Sequence, residues 1–334
     1  MRWEVKVLLV GVFLVALAAM TGCGGGNNQS VFQNVFDRAT FSPAGNRLAF
    51  ESVGGNGLFY TYSIDSSGGN LLLLTPTDND TDLTDEGGKM PSWSPSVTIS
   101  EMVIVARRAI GGQALFLINP TTVLANPVAK LTDDTVAGAD SQPSWAPDGS
   151  KIVYVSDKGT TGHFTIWTVS RDSVDGSGAA MLYDPAVHPA DIKPEVLAAA
   201  GHDAQWPVFS PDGSKIAFQL GRSALGADTV IVVMNVDGTG VVVLGAGNGF
   251  RDEAPNFITD SGTLLFQSNR FGDFDIWQMS AVDGSGAVRL TSDSRSDGFP
   301  VWNKATNQIA FTRDRSLWRM SANGVTQVQL TQRF

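Results

Sequence analysis

Of 334 residues, one is a cysteine, Cys23, and three are histidines, His163, His188 and His202. A lone cysteine excludes an intrachain disulfide and a cysteine-rich zinc site. Charge is scarce at 17%, and its basic half is scarcer: 23 Lys and Arg against 33 Asp and Glu leave a net charge of −10. Nucleic-acid binders carry a basic footprint, so no nucleic-acid partner is expected. No Gly-x-Ser-x-Gly elbow occurs, which removes the nucleophile of the α/β-hydrolases. The apolar run at 7–20 falls short of the roughly 20 residues that a spanning helix needs. What is abundant points elsewhere. Apolar residues make up 43% of the chain, too many for a disordered one, and 36 glycines without a three-residue period mean many tight turns rather than collagen.

The apolar run follows Arg2 and Lys6 and ends in Met20-Thr21-Gly22-Cys23. A charged start, a short apolar stretch and small residues before a cut read as a secretory signal. The four residues ending at Cys23 resemble the bacterial lipobox, with Met20 where leucine is usual. The resemblance implies that residues 1–22 are removed and that Cys23 is acylated, anchoring the chain to a membrane by lipid. Residues 23–33 open with Gly24-Gly25-Gly26-Asn27-Asn28, the composition of a flexible tether. Gly24 after the cysteine implies, by Gram-negative sorting rules, the outer membrane.

Beyond the tether the chain repeats itself, and repeats decide architecture before motifs do. FSPAGNRLAF at 41–50, WAPDGSKIVY at 145–154 and FSPDGSKIAF at 209–218 align with FITDSGTLLF at 257–266 and WNKATNQIAF at 302–311, and a sixth copy opens with PSWSP at 91–95. The lead aromatics Phe41, Trp93, Trp145, Phe209, Phe257 and Trp302 are 52, 52, 64, 48 and 45 residues apart. Each copy continues with a β-branched and aromatic run, such as FTIWTVS or FDIWQMS, then a second run that ends in Leu-Thr in four copies and in AAMLY and VVVLG in the other two. Asp175-Gly176, Asp237-Gly238, Asp283-Gly284 and Asn323-Gly324 join the two runs as tight hairpins. Six small four-stranded antiparallel sheets need neighbours on both faces, and a closed ring supplies them. The fold class is therefore all-β, a six-bladed β-propeller over residues 34–334. Pro91, Pro143, Pro207, Pro255 and Pro300 stand two residues before a lead aromatic. Proline belongs on a strand edge, so the lead strand lines the channel.

WAPDGSKIVYVSD, FSPDGSKIAF and SNRFGDFDIWQMSAVDGSG resemble the WD40-like (PD40) repeats of the TolB-like propeller family. The resemblance covers residues 37–334. It implies a non-catalytic, exported envelope protein that binds other envelope proteins as a scaffold, with no cofactor and no assembly beyond a monomer; the lipid anchor is implied by the lipobox alone. The alternative class is a polysaccharide binder or a propeller polysaccharide lyase working at the channel mouth. His188 and His202, with Asp191 and Asp203 near them, are its candidate residues. No hydrolase-sized stretch follows the last repeat, so a propeller peptidase is not expected.

In such a ring the first-to-second and third-to-fourth strand turns share one face, here uniform PDGS and DGSG. The opposite, connector face is irregular, with long loops at 75–89, 184–201 and 219–228, and variable loops on a rigid scaffold carry function. Asp140, Asp203, Asp252 and Asp297 precede the lead aromatics of blades three to six by five or six residues, and Lys158, Arg222, Arg270 and Arg315 follow the second aromatics by four. Antiparallel register sets each acid near its own blade's base. Two readings follow: a charged ring that grips a partner, or an ion pair inside each blade, which the blade-by-blade recurrence favours. Trp206, beside Pro207, is a candidate channel-lining contact. Asp78-Asn79-Asp80-Thr81-Asp82 opens like a calcium loop, but Leu83 stands where an EF-hand needs glycine and Lys89 where it needs glutamate. Only a weak cation site at Asp78, Asp80 and Asp82 is left.

Overall fold

The computed structural model describes residues 31–32, 35–53, 59–75, 88–98, 100–107, 112–120, 129–133, 135, 137–158, 163–186, 202–222, 229–244, 249–258 and 261–333. Cys23, Asp78, Asp80, Asp82 and His188 lie outside them, as do the side chains of Arg222 and His202. Among the described residues every regular element is a strand, and no helix is long and apolar enough to cross a membrane.

Six four-stranded sheets follow one another, each with its strands paired antiparallel in sequence order. Blade five is representative, with strands Asp252–Phe257, Thr263–Phe271, Asp273–Ser280 and Val288–Arg289. In blade four the second strand, Lys215–Arg222, runs on to Arg222, so the loop expected from residue 219 begins later. In the stretch read as a tether, Val31–Phe32 pairs in parallel with Gln332–Arg333.

Each core belongs to two blades. Leu48, Phe50 and Ile64 of blade one pack on Ala310, Leu317 and Leu330 of blade six. Ala49 and Leu74 pack on blade two, and Leu115 and Leu117 on Tyr154 of blade three. Three further clusters join blades three to four, four to five and five to six. Six shared cores for six blades close the ring.

The short fourth strand explains the recurring Leu-Thr. Leu74, Leu131, Leu290 and Leu330 point into the shared cores, and all but Leu290 are buried. The next threonine then accepts the N–H of strand three that a longer strand would have paired. Thr61 N donates to Thr75 Oγ1 at 3.1 Å, Leu115 N to Thr132 Oγ1 at 3.0 Å, Ile276 N to Thr291 Oγ1 at 2.9 Å and Leu317 N to Thr331 Oγ1 at 2.8 Å. The hairpin glycines do more than turn. Gly238 has φ +87°, and a Cβ there would lie 2.5 Å from the Leu182 carbonyl oxygen of the preceding blade.

Candidate interaction site at the channel mouth

The lead strands are bulged where they face the channel. Met90, Gln142, Trp206, Ala254 and Phe299, each the residue before the recurring proline, have φ between +50° and +54°. Each falls where the register of first and second strands shifts. A left-handed non-glycine residue costs of the order of 1–2 kcal/mol, so something must hold it. For four of the five, side chains of the preceding blade do. Glu51 accepts from Met90 N at 2.9 Å, Gln142 from Trp206 N at 2.6 Å, Gln219 from Ala254 N at 2.9 Å and Gln267 from Phe299 N at 2.9 Å. Glu51, Gln219 and Gln267 share one place in the repeat, directly after the second aromatic. That pattern was readable in the sequence, but its meaning depends on the bulge.

Three side chains span the channel. The indole of Trp206 meets the ring of Phe299 edge-on at 5.1 Å, and the Arg38 guanidinium lies 5.4 Å above the Trp206 ring. Arg38 Nη2 donates to the Pro255 carbonyl at 2.9 Å. Blades one, four, five and six thus meet across the axis.

The charged positions resolve differently from blade to blade. Lys158 Nζ lies 2.8 Å from Asp140 Oδ2, and Arg270 holds both oxygens of Asp252, at 3.2 Å from Nε and 2.6 Å from Nη2. Blade six corrects the expectation for Arg315. Asp297 takes a hydrogen bond on each oxygen from Arg313, at 2.6 Å each, and Arg315 sits exposed in the two-residue turn Asp314-Arg315. In blades three and five the residue opposite the acid is Ser156 or Ser268, and the base reaches back from two residues beyond. In blade six the arginine itself is opposite, so no second base is needed. Burial alone would lower the Arg313 pKa; the hydrogen bonds and charge of Asp297 outweigh it and hold it above the usual arginine value. In blade four the side chain of Arg222 lies outside the described residues. Asp203 accepts from Phe164 N of blade three at 2.9 Å and lies 4.0 Å from His163 Nδ1, while Gly221 stands opposite it in the ladder.

Between blades five and six, on the connector face, a cavity of about 600 Å³ opens at the channel mouth, with Arg251, Glu253, Phe274, Asp297, Phe299 and Arg315 in its wall. Its buried acids are already engaged. Glu253 accepts from Arg251 Nε at 2.8 Å, Thr229 Oγ1 at 3.1 Å and Gln267 Nε2 at 2.9 Å. The Arg251 guanidinium, 41% exposed, lies over the Phe274 ring at 5.1 Å. The wall holds no histidine, and among the described residues no group of three or more His, Cys, Asp or Glu side chains is placed to hold a metal. What the mouth offers is a preformed, amphipathic recess with arginine and aromatic faces outward.

No family model matches the chain. The Tol-Pal system protein TolB of Francisella tularensis subsp. mediasiatica is 23% identical over 239 residues, 63% of this chain and 52% of that protein. The chain spans between 52% and 61% of the length of the curated relatives it matches first. Among solved structures, a putative TolB from Agrobacterium tumefaciens superposes with a TM-score of 0.59 at 18% identity, over 78% of this chain and 84% of that one. An oligogalacturonate lyase in complex with manganese superposes at 0.52 with 16% identity, over 90% and 78%. At these identities the structural likeness is one of fold.

Proposed function

We propose, from the premise that this chain is a TolB-like six-bladed β-propeller, that it is a non-catalytic scaffold of the bacterial cell envelope, held to a membrane by lipid on Cys23, that docks another envelope protein at the channel mouth. The observation that carries this reading is the recess between blades five and six. Its buried carboxylates are satisfied within the protein, and it presents Phe274 and Phe299 on strands, Arg315 on a two-residue turn and Arg251 at an isolated bridge just before a strand. Arginine and aromatic side chains in a preformed recess are the usual anchors of protein interfaces. The TolB relatives support an envelope partner and an envelope location.

Two measurements test it. Cys23→Ser is expected to leave the membrane fraction or to stall as an unprocessed precursor. Cross-linked envelopes are expected to yield a protein partner by pulldown and mass spectrometry. Exchanging the exposed charges, with Asp314→Arg and Arg315→Glu together, should lose that partner without moving the melting temperature. Recovery of no protein above background, or undiminished recovery by the exchanged variant, counts against the site.

A second reading follows from the fold shared with the oligogalacturonate lyase. If the mouth acts on acidic polysaccharide, purified protein will release unsaturated sugars from pectin-like polymers and lose this on His188→Ala or His202→Ala.

A further inference from the structure

Four arginines at the connector ends of blades five and six are built to one plan, a carboxylate under the guanidinium and an aromatic ring against it. Arg251 Nη2 lies 2.7 Å from Glu253 Oε1, Arg270 Nη2 2.6 Å from Asp252 Oδ2, Arg289 Nη2 2.7 Å from Asp275 Oδ2 and Arg295 Nη2 3.1 Å from Asp293 Oδ2. In the same order, the guanidinium carbons stand over the rings of Phe274 at 5.1 Å, Trp277 at 5.4 Å, Phe271 at 5.1 Å and Trp318 at 5.2 Å. The four are neighbours. Arg251 N donates to Asn269 Oδ1 at 2.8 Å, beside Arg270. The ring of Phe271 lies nearly parallel to that of Trp277 at 5.7 Å, so Arg270, Trp277, Phe271 and Arg289 make one stack. Asp275, paired with Arg289, feels the charge of Asp293, paired with Arg295.

The acids lie beneath and the bases above. The side chains of Glu253, Asp252 and Asp275 are 8%, 5% and 1% exposed, and those of Arg251, Arg270 and Arg289 are 41%, 21% and 29% exposed. In Arg251, Arg270 and Arg295 the acid takes the Nε and Nη2 edge, and among the described residues Nη1 has no acceptor. Each of these guanidiniums is held by its own acid and ring, with one amino group left for an outside oxyanion. A free arginine loses rotamer freedom on binding; these have lost it already. Beside them stand open rings: Phe271 is 69% exposed, and Phe250, next to Arg251, is 38% exposed. From this we infer that the arc from Phe250 to Arg295 binds an acidic polysaccharide, a chain of uronates laid across blade five outside the recess. A uronate residue offers one carboxylate and one apolar C–H ring face, the two features that alternate along the arc. A peptide added as a strand needs an unpaired edge, whereas Thr263–Phe271 and Asp273–Ser280 are the inner strands of blade five. Polyglutamate, or the phosphates of duplex DNA, would leave Phe271 in water. The arc carries no histidine, so this binding needs neither His188 nor His202, and it does not depend on the partner proposed at the mouth.

The test measures binding of the full chain to immobilised polygalacturonate, with the fully methyl-esterified polymer as its neutral counterpart. Polygalacturonate is expected to bind, and the ester to bind at least about tenfold more weakly. Arg270→Lys and Arg295→Lys keep the charge over the acid but have no second amino group to offer. Each should weaken binding about threefold to tenfold, although the net charge of the chain is unchanged. Phe271→Ser, on an exposed turn, should weaken it as well without moving the melting temperature, and it decides the matter if a lysine variant melts early. Lys304→Gln, exposed on the turn face, removes a charge and should leave binding as it was. Absence of binding at low salt overturns the site, as does undiminished binding by Arg270→Lys, Arg295→Lys and Phe271→Ser. Binding of polyglutamate or duplex DNA as tight as that of polygalacturonate overturns the sugar as the occupant.

Discussion

Arg313 and Arg315 are two residues apart and carry the same charge, yet their environments make them opposite kinds of residue. Arg313 is 2% exposed, and its partner Asp297 has no exposed side-chain surface. Removing one member of such a pair leaves an uncompensated buried charge. Arg313→Ala is expected to cost about 3–5 kcal/mol in urea unfolding. Arg315→Ala, on an exposed turn, should change stability by less than about 1 kcal/mol. The turn face offers a titration experiment. Asp212 is held at about 2 by the Ser210 hydroxyl, then by Ser214 and Ser261. A carboxylate depressed in the folded state adds stability above its ordinary pKa of about 3.9 and loses it as the pH falls toward the folded value. Wild type should therefore weaken more steeply than Asp212→Asn between about pH 4 and 2, measured by chemical unfolding at each pH.

Single strands owe their shape to groups on the neighbouring blade. Gln267 accepts from Phe299 N and donates to Glu253, so it serves a strained bulge and a buried acid at once. Gln267→Ala should leave both wanting, at a cost of about 1–3 kcal/mol. Amide exchange at Phe299 should rise more than at residues elsewhere in blade six. At this scale the sequence was partly legible. The proline before five of the six lead aromatics marked the channel strand, and the Leu-Thr of four copies marked the end of the outer one. The left-handed residue before each proline was not legible, because it arises from a register shift between two strands and not from any local preference for that conformation. Arg38 was missed for a related reason. It is remote in sequence from Trp206 and Pro255, and only the closed ring brings them within reach.

For the molecule as a whole, blade number, strand order and ring closure followed from a repeat that recurs six times, because each copy states the same burial pattern. The acid–base pairing was legible where register is uniform, as at Asp140 with Lys158 and Asp252 with Arg270. It failed in blade six, where an arginine directly opposite the acid displaced the more distant one; in blade four Asp203 ties two blades together, and the side chain of Arg222 lies outside the described residues. The recess was not legible at all: its wall draws on both blades five and six, and no single repeat encodes it.

The six shared cores set where this protein can change. Since each core is divided between neighbours, gaining or losing a blade would alter the curvature at every interface together. Lengthening a surface loop costs little, about 0.6 kcal/mol for each doubling of its length. The spacing of lead aromatics, which ranges from 45 to 64 residues, shows that variation among the copies is taken up in their loops. A lineage bearing this ring can thus acquire new partners by rewriting its connector loops while the count of blades stays fixed.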